Sequence, residues 1–417
     1  MSSTREIEVC AHWRGLQNPT TMGWLTATQV RGKEVFAFEY EKEWLDRGLY
    51  SRLDPNLGMF AGRQYPKGDQ KNFGIFLDSS PDRWGRLLME RREAQQARAE
   101  RRPERTLRES DYLLGVHDSH RIGGLRFRMG GPFLDDNQEM AAPPWTTLPE
   151  LEYASLQLEQ DDAVSRPEYA KWLRMLISPG GSLGGARPKA GVVDNRGGLW
   201  IAKFPSRNDP VDIGAWEWVV HELAIRAGVD VPEGRIRKFG SPHHIFLSKR
   251  FDRTPSLERL HFASAITLLE RNDGDDFTEG ASYLEMVELL EQVGAKPTHD
   301  IQQLWRRIVF NICVSNVDDH LRNHGFMLEE KGWTLAPAYD MNPDPNGSGL
   351  MLNISDRDNA LDLELAMEMA EVYRVKRAKE IIAEVIEAVS TWREKATQVG
   401  LSGAAQDRME RAFRHGA

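Results

Sequence analysis

Two cysteines in 417 residues, Cys10 and Cys313, are too few for a disulfide framework or a cysteine-built zinc site. Each sits in an apolar run, which predicts two buried thiols. The chain has no run of about eighteen consecutive apolar residues, so no membrane-crossing helix is expected. Its first ten residues, MSSTREIEVC, lack the apolar core of a signal peptide, and the expectation is a cytoplasmic protein. Positive charge is also short. Lys and Arg number 54 against 63 Asp and Glu, and a net charge of −9 excludes a surface that is a nucleic-acid footprint throughout. The one basic stretch, RREAQQARAERRPERTLR from Arg91 to Arg108, interleaves acids with its arginines and predicts a solvated helix. No internal repeat stands out. What remains, 40% hydrophobic and 28% charged residues, is ordinary globular composition in a chain too long for one small core.

Two further absences prune the chemistry. A glycine-rich stretch, SPGGSLGGARPK, carries no Gly-Lys-Ser/Thr and is not a Walker loop. His221-Glu222 opens like a zinc-protease HExxH, but Ile225 stands where the second histidine is needed.

In chain order, IEVCAHW, MGWLTATQV and EVFAFEY carry β-branched and aromatic residues and predict a small antiparallel sheet. Ser80-Pro81-Asp82 predicts a helix start. The polar, proline-containing stretch 136–150 separates an N-terminal subdomain, 1–135, from the rest of the chain. From Leu151 a helical segment leads to the glycine stretch. There Gly180, Gly181, Gly184 and Gly185 surround Ser182, free of the Cβ atoms that would keep backbone N–H groups from a phosphate. The strand GGLWIAKFPS then presents Lys203. Next comes a helix, AWEWVVHELAIRAG, with apolar positions at Trp216, Val219, Val220, Leu223 and Ile225 and with Gly228 as its stop. Glu217 in its first turns is the expected partner of Lys203. The strand HHIFLSKRFDR comes after it, where backbone near Lys249 to Phe251 would meet an adenine edge and Asp252 would accept from ribose hydroxyls. Subdivision at 151–255 and 256–417 completes the domain scheme. LELAMEMAEVY and AKEIIAEVIEAVSTW predict amphipathic helices near the end.

The densest chemistry is NICVSNVDDHLRNHGF, Asn311 to Phe326, directly after a helix-like apolar run. Two strand-like runs, HGFML and WTLAPAY, separated by EEKG, lead on to Asp340. Asp318 and Asn323 have the Asp-x-x-x-x-Asn spacing of a protein-kinase catalytic loop, and an acid past a hairpin is where such a fold keeps its metal-binding Asp. Phosphoryl transfer needs a positioned hydroxyl and charge neutralisation rather than covalent chemistry. In that scheme Asp318 accepts the hydroxyl proton, Asn323 and Asp340 hold Mg²⁺, Lys203 steadies the ATP phosphates, and His320 either touches phosphate or packs in the loop. A rival scheme makes Asp318, Asp319, His320 and His324 the ligands of a metallohydrolase, but it leaves Asn323 and Asp340 without a part.

With the glycine loop, Lys203, the RFDR strand and VDDHLRNHGF together, the chain resembles the HipA family, kinase toxins of bacterial toxin–antitoxin modules. The resemblance covers nearly the whole chain. It implies an α+β, bilobal, divergent protein-kinase-like fold with a small β-rich N-terminal subdomain and a mostly helical C-lobe. It also implies an ATP- and Mg²⁺-dependent serine/threonine protein kinase whose glycine-loop serine, Ser182 here, is autophosphorylated. Partners implied are a small helix-turn-helix antitoxin of the HipB kind, operator DNA through that antitoxin, and a protein substrate such as an aminoacyl-tRNA synthetase. The family often has Asp-Gly-His where this chain has Asp318-Asp319-His320, which opens the question of what Asp319 does. The competing readings are a kinase-shaped co-repressor without turnover and a small-molecule phosphotransferase.

Overall fold

The computed structural model describes residues 4–48, 53–68, 70–134, 142–177, 185 and 187–414. The chain divides into two compact units, residues 1–207 with 252–263, and residues 208–251 with 264–417.

In the first unit the three expected strands form, as β1 (Thr4–Ala11), β2 (Thr20–Val30) and β3 (Lys33–Tyr40). A fourth, β4 (Leu125–Arg128), comes from GVHDSHRIGGLRFRMGG, a segment whose sequence predicts turns rather than a strand, and the sheet order is β3-β2-β1-β4. β1 is antiparallel to both its neighbours, with a bulge between Val9 and Cys10. An aromatic cluster packs on the sheet: Phe38 of β3, Phe127 of β4 and Phe73 surround Phe76 with centroids 5.4, 6.0 and 5.8 Å away. Cys10 is buried, and burial pushes its thiol up to about 11.

Short helices α1 (Lys42–Arg47) and α2 (Gly74–Asp78) precede α3 (Arg83–Ala99), which starts where Ser80-Pro81-Asp82 predicts. The Asp82 carboxylate caps it, accepting from the Gly85 amide at 2.7 Å. The other Asp82 oxygen takes the ammonium of buried Lys189 at 3.0 Å, and Lys189 also donates to the Gly185 carbonyl at 3.1 Å. One carboxylate thus ties a helix start to the foot of the glycine stretch. The basic segment behaves as intramolecular structure: Arg91 donates to the Leu158 carbonyl, and Arg102 pairs with buried Glu93. α4 (Glu109–Leu114), α5 (Leu148–Leu158) and α6 (Tyr169–Ile177) come next, with α6 packed on α3 and α5. The hairpin β5 (Lys189–Val193) and β6 (Leu199–Lys203) closes this part of the unit.

The second unit begins with α7 (Ile213–Arg226), capped by Asp212. Trp216, Val219, Val220 and Leu223 are buried as their spacing predicts, and Gly228 ends the turn with φ +70°. Ile225 departs from the expected apolar face and is 54% exposed. At about 100° per residue, nine steps from Trp216 bring it to the far side of the helix. A hairpin of β7 (Gly234–Arg237) with β8 (Ile245–Lys249) is antiparallel. Residues 252–263 belong to the first unit and take in Phe262 and Ala263 of the short β9 (Phe262–Ser264); the second unit resumes at Ser264 with α8 (Ala265–Leu268).

α9 (Tyr283–Val293) then leads to α10 (Pro297–Val314), the axis of this unit. Ile301, Leu304, Trp305, Ile308, Val309, Ile312 and Cys313 of α10 are buried, and burial pushes the Cys313 thiol to about 12. The hairpin β10 (Gly325–Glu329) and β11 (Gly332–Leu335) turns where EEKG predicts. α11 (Leu363–Met369), α12 (Ala378–Val389), α13 (Trp392–Gln398) and α14 (Gly403–Met409) complete the unit. α10 packs on α9, α11, α12 and β11, while α7 packs on α12 and α13. No helix among the described residues is long and apolar enough to cross a membrane.

Glu8 on β1 supplies a pH test of the first sheet. The bidentate hydrogen bonds from Arg128, both 2.6 Å, hold its carboxyl below the usual range against the opposing effect of burial. A depressed folded-state pKa contributes stability above the unfolded value, and that stability is lost as pH falls through the folded value. Glu8→Gln should therefore flatten the fall in unfolding free energy between neutral and acid pH, by on the order of 1 kcal/mol. Urea titrations from pH 7 down to pH 3 measure it; parallel pH profiles for the two proteins would refute the assignment.

Candidate active site

The loop after α10 is built by how that helix ends. Ser315 adopts a left-handed φ of +49°, and the Asn316 amide returns to the Asn311 carbonyl at 3.0 Å. The Asn316 side chain then bonds in two directions. Its Nδ2 donates to Asn311 Oδ1 at 3.1 Å, and its Oδ1 accepts the Asn342 amide at 3.0 Å. The loop and the segment after Asp340 are therefore stitched together near their bases.

Asp318 is exposed whereas Asp319 is buried. Asp319 Oδ2 accepts three hydrogen bonds, from Tyr283 Oη at 2.6 Å, Asn311 Nδ2 at 2.7 Å and His324 Nε2 at 3.0 Å. Burial by itself would raise this carboxyl. The charge and hydrogen bond of His324, with the Tyr283 hydroxyl, outweigh it and hold the group below the usual carboxylate range. Tyr283 is pushed well up, by burial first and then by the Asp319 charge.

Asn323 ends a single turn, Leu321–Asn323, whose closing bond runs from its amide to the His320 carbonyl at 2.8 Å. Asn323 Nδ2 donates to the Asp318 carbonyl at 2.8 Å. That bond fixes the amide's orientation and leaves Oδ1, buried and without a hydrogen bond, as an oxygen acceptor. An oxygen held this way suits a hard cation such as Mg²⁺. His320 is half-buried, and its Nδ1 also makes no hydrogen bond. Asp340 sits past the hairpin at φ +59°, a conformation that L-residues rarely adopt. Tyr339 beside it donates to the Arg322 carbonyl at 2.7 Å and packs on the Phe251 ring, centroids 5.6 Å apart. Arg307, buried on α10, donates to the Ala336 carbonyl at the head of the Asp340 segment; burial pulls its guanidinium down to about 10.

The four-ligand hydrolase scheme fails on this geometry. Asp319 and His324 turn inward and bond to one another, away from exposed Asp318, and the described residues hold no metal-binding group of three or more His, Cys, Asp or Glu.

The remaining candidates distribute over both units. Lys203 ends β6 in the first unit, half-buried, and Glu217 lies buried on α7 in the second. Lys249 ends β8 and pairs with Glu233 at 3.0 Å. Asp252 is almost wholly buried in the first unit and accepts from the Gly123 amide at 2.8 Å and from Arg253 at 2.5 Å. Gly185 has φ +89°. Ser182, Gly180, Gly181 and Gly184 lie outside the described residues.

Tyr283, Asn311, Asn316, Arg307 and Tyr339 were not singled out as site residues by sequence reasoning. A signal existed for two of them: Arg307 and Asn311 are polar at i and i+4 on the face that Leu304 and Ile308 mark as core.

The pattern of the family described as HipA-like C-terminal domain matches residues 181–392, just over half of the chain. The chain belongs to this family. As a HipA-like protein it shares its fold with HipA of Shewanella oneidensis MR-1, solved with HipB and operator DNA. The TM-score is 0.67 at 17% identity, and the match covers 98% of this chain and 95% of that one. The expected α+β, HipA-like kinase fold is therefore the fold found. Among curated relatives, the provisionally named kinase Y4mE of Sinorhizobium fredii is 27% identical over 156 residues, 34% of this chain and 33% of that protein. A provisionally named kinase of Haemophilus influenzae is 26% identical over 179 residues, 39% of this chain and 52% of that protein.

The left-handed backbone at Asp340 makes a separable prediction. Glycine adopts this conformation without the Cβ clash that costs other residues roughly 1–2 kcal/mol. Asp340→Gly should thus be more stable than Asp340→Ala by about 1 kcal/mol in urea unfolding, although both lose the carboxylate. Equal midpoints would show that the backbone there is unstrained.

Proposed function

We propose that this HipA-like chain is an ATP- and Mg²⁺-dependent serine/threonine protein kinase and the toxin of a toxin–antitoxin module. The observation that carries the reading is the pair Asp318 and Asn323. The acid is exposed, while the amide one turn on grips the acid's own carbonyl and keeps a buried, unbonded oxygen. Asp318 would orient the acceptor hydroxyl and take its proton as the bond to phosphorus forms. Asn323 Oδ1 and the Asp340 carboxylate would hold Mg²⁺, which when bound neutralises phosphate charge. Lys203, with Glu217 as its partner, would steady the nucleotide phosphates, and the chain near Lys249 and Phe251 would face the adenine.

Ser182 would be the self-acceptor. A phosphate there adds about two negative charges beside the ATP phosphates and would repel nucleotide. The protein partner would be a HipB-like antitoxin, with operator DNA bound through it, and the target a translation component such as an aminoacyl-tRNA synthetase. The co-repressor reading draws on the same relative, since that HipA was solved with HipB and operator DNA.

Incubating the purified chain with γ-labelled ATP, Mg²⁺ and a host lysate tests the proposal. Label should appear on the chain and on one lysate protein, fall by at least about 100-fold in Asp318→Asn, and leave the chain itself in Ser182→Ala. Label on a metabolite alone would make the chain a small-molecule phosphotransferase. No label, with a co-expressed antitoxin held on DNA, would make it a co-repressor.

A further inference from the structure

We propose that Asp319 is a positioning residue for phosphoryl transfer, its buried carboxylate holding Asp318 outward and Asn323 in place. The inference rests on the functional reading above. Asp319 lies between the two residues to which that reading gives the chemistry, and its carboxylate is buried among three protein donors.

The geometry is a three-point grip on one oxygen. Tyr283 comes from the first turn of α9, Asn311 from the last turn of α10, and His324 from the residue immediately after Asn323. The same carboxylate therefore joins the start of the loop, its middle and its exit into β10. Asn311 bonds on its other side to Asn316, which holds the Asn342 amide beyond Asp340. A displacement of Asp319 would be passed to both proposed Mg²⁺ ligands, through His324 to Asn323 and through Asn311 and Asn316 to the Asp340 segment. The edge of the Tyr283 ring also meets His324, centroids 5.7 Å apart at 85°, so the imidazole is fixed in plane as well as at its nitrogen.

The alternative is that the cluster serves only to fill the core. The two roles differ in what survives when one donor is lost. A core group lowers stability and leaves the folded molecules fully competent; a positioning group lowers the turnover of molecules that are folded.

The experiment uses the full chain and two conservative variants, Tyr283→Phe and Asp319→Asn, with Asp318→Asn beside them. Thermal midpoints and circular dichroism identify temperatures at which each variant is folded. At such a temperature kcat and KM for ATP are measured by label transfer, and Mn²⁺ affinity by electron paramagnetic resonance in the presence of a non-hydrolysable ATP analogue. Tyr283→Phe should lower kcat about fivefold and Asp319→Asn about 50-fold, with KM for ATP within about twofold of wild type. Mn²⁺ should bind both variants at least about threefold more weakly, a readout that needs no turnover. Tyr283→Phe removes one hydroxyl and keeps the ring, so it stays informative if Asp319→Asn does not fold. Folded variants with wild-type kcat and Mn²⁺ affinity would overturn the inference while leaving the kinase reading standing. A wild type silent in both assays would overturn the kinase reading and this inference with it.

Discussion

An ionised carboxylate can be kept out of water only where donors replace the water, and in the second unit that requirement is met at Asp319. Its three donors come from α9, α10 and the entry to β10, so the elements around the loop must be in register before the charge is tolerable. Hydrogen bonds to a charged group contribute about 1.5–3 kcal/mol each, and leaving one partner buried without the other costs a comparable amount. The cluster therefore favours one arrangement of the loop strongly over near neighbours of it. α10 carries this role because its inward face is not wholly apolar. Asn311 serves the loop, and Arg307, one turn earlier, serves the Ala336 carbonyl ahead of Asp340. A single rigid helix thereby sets the origin of both segments.

The backbone makes the complementary contribution. Ser315 leaves α10 through a left-handed residue, and Asp340 occupies the same region of conformational space at the far end of the hairpin. Such residues persist where the surroundings over-determine them. Here the surroundings are hydrogen bonds from the Asn342 amide to Asn316, from the Asp344 amide to the Ser315 carbonyl and from Tyr339 to the Arg322 carbonyl. Strain and hydrogen bonding offset one another within a few residues, so neither segment can relax without breaking bonds that the other supplies.

What could be read from the amino-acid order was what depends on local spacing. The interval between Asp318 and Asn323, the β-branched and aromatic residues of the first three strands and the helix start at Ser80-Pro81-Asp82 are all local, and all can be found without knowing which distant residues meet. Ile225 shows the limit even there: apolar character was visible, but its angle on α7 decided its exposure. β4 is not legible in the sequence because the five residues between Gly124 and Gly130 carry too little alternation to be told from a turn, and it exists because β1 offers it an edge. Tyr283 lies 36 residues before Asp319 in the chain, and no periodicity connects them. Asp252 illustrates the same point from the other side, since its bond to the Gly123 amide spans 129 residues.

Asp318 is exposed while the next residue, Asp319, is buried. Side chains on consecutive residues leave the backbone in different directions, so a carboxylate held inward at one position is compatible with an outward one before it. The consecutive acids, ambiguous as letters, are sorted by the three donors beneath them. Without the Asp319 carboxylate, Tyr283, Asn311 and His324 would be left with buried donors and no acceptor. Each unsatisfied donor would cost about 1–3 kcal/mol. The three donors and their one acceptor are therefore a single unit of the fold, in which no member is neutral on its own.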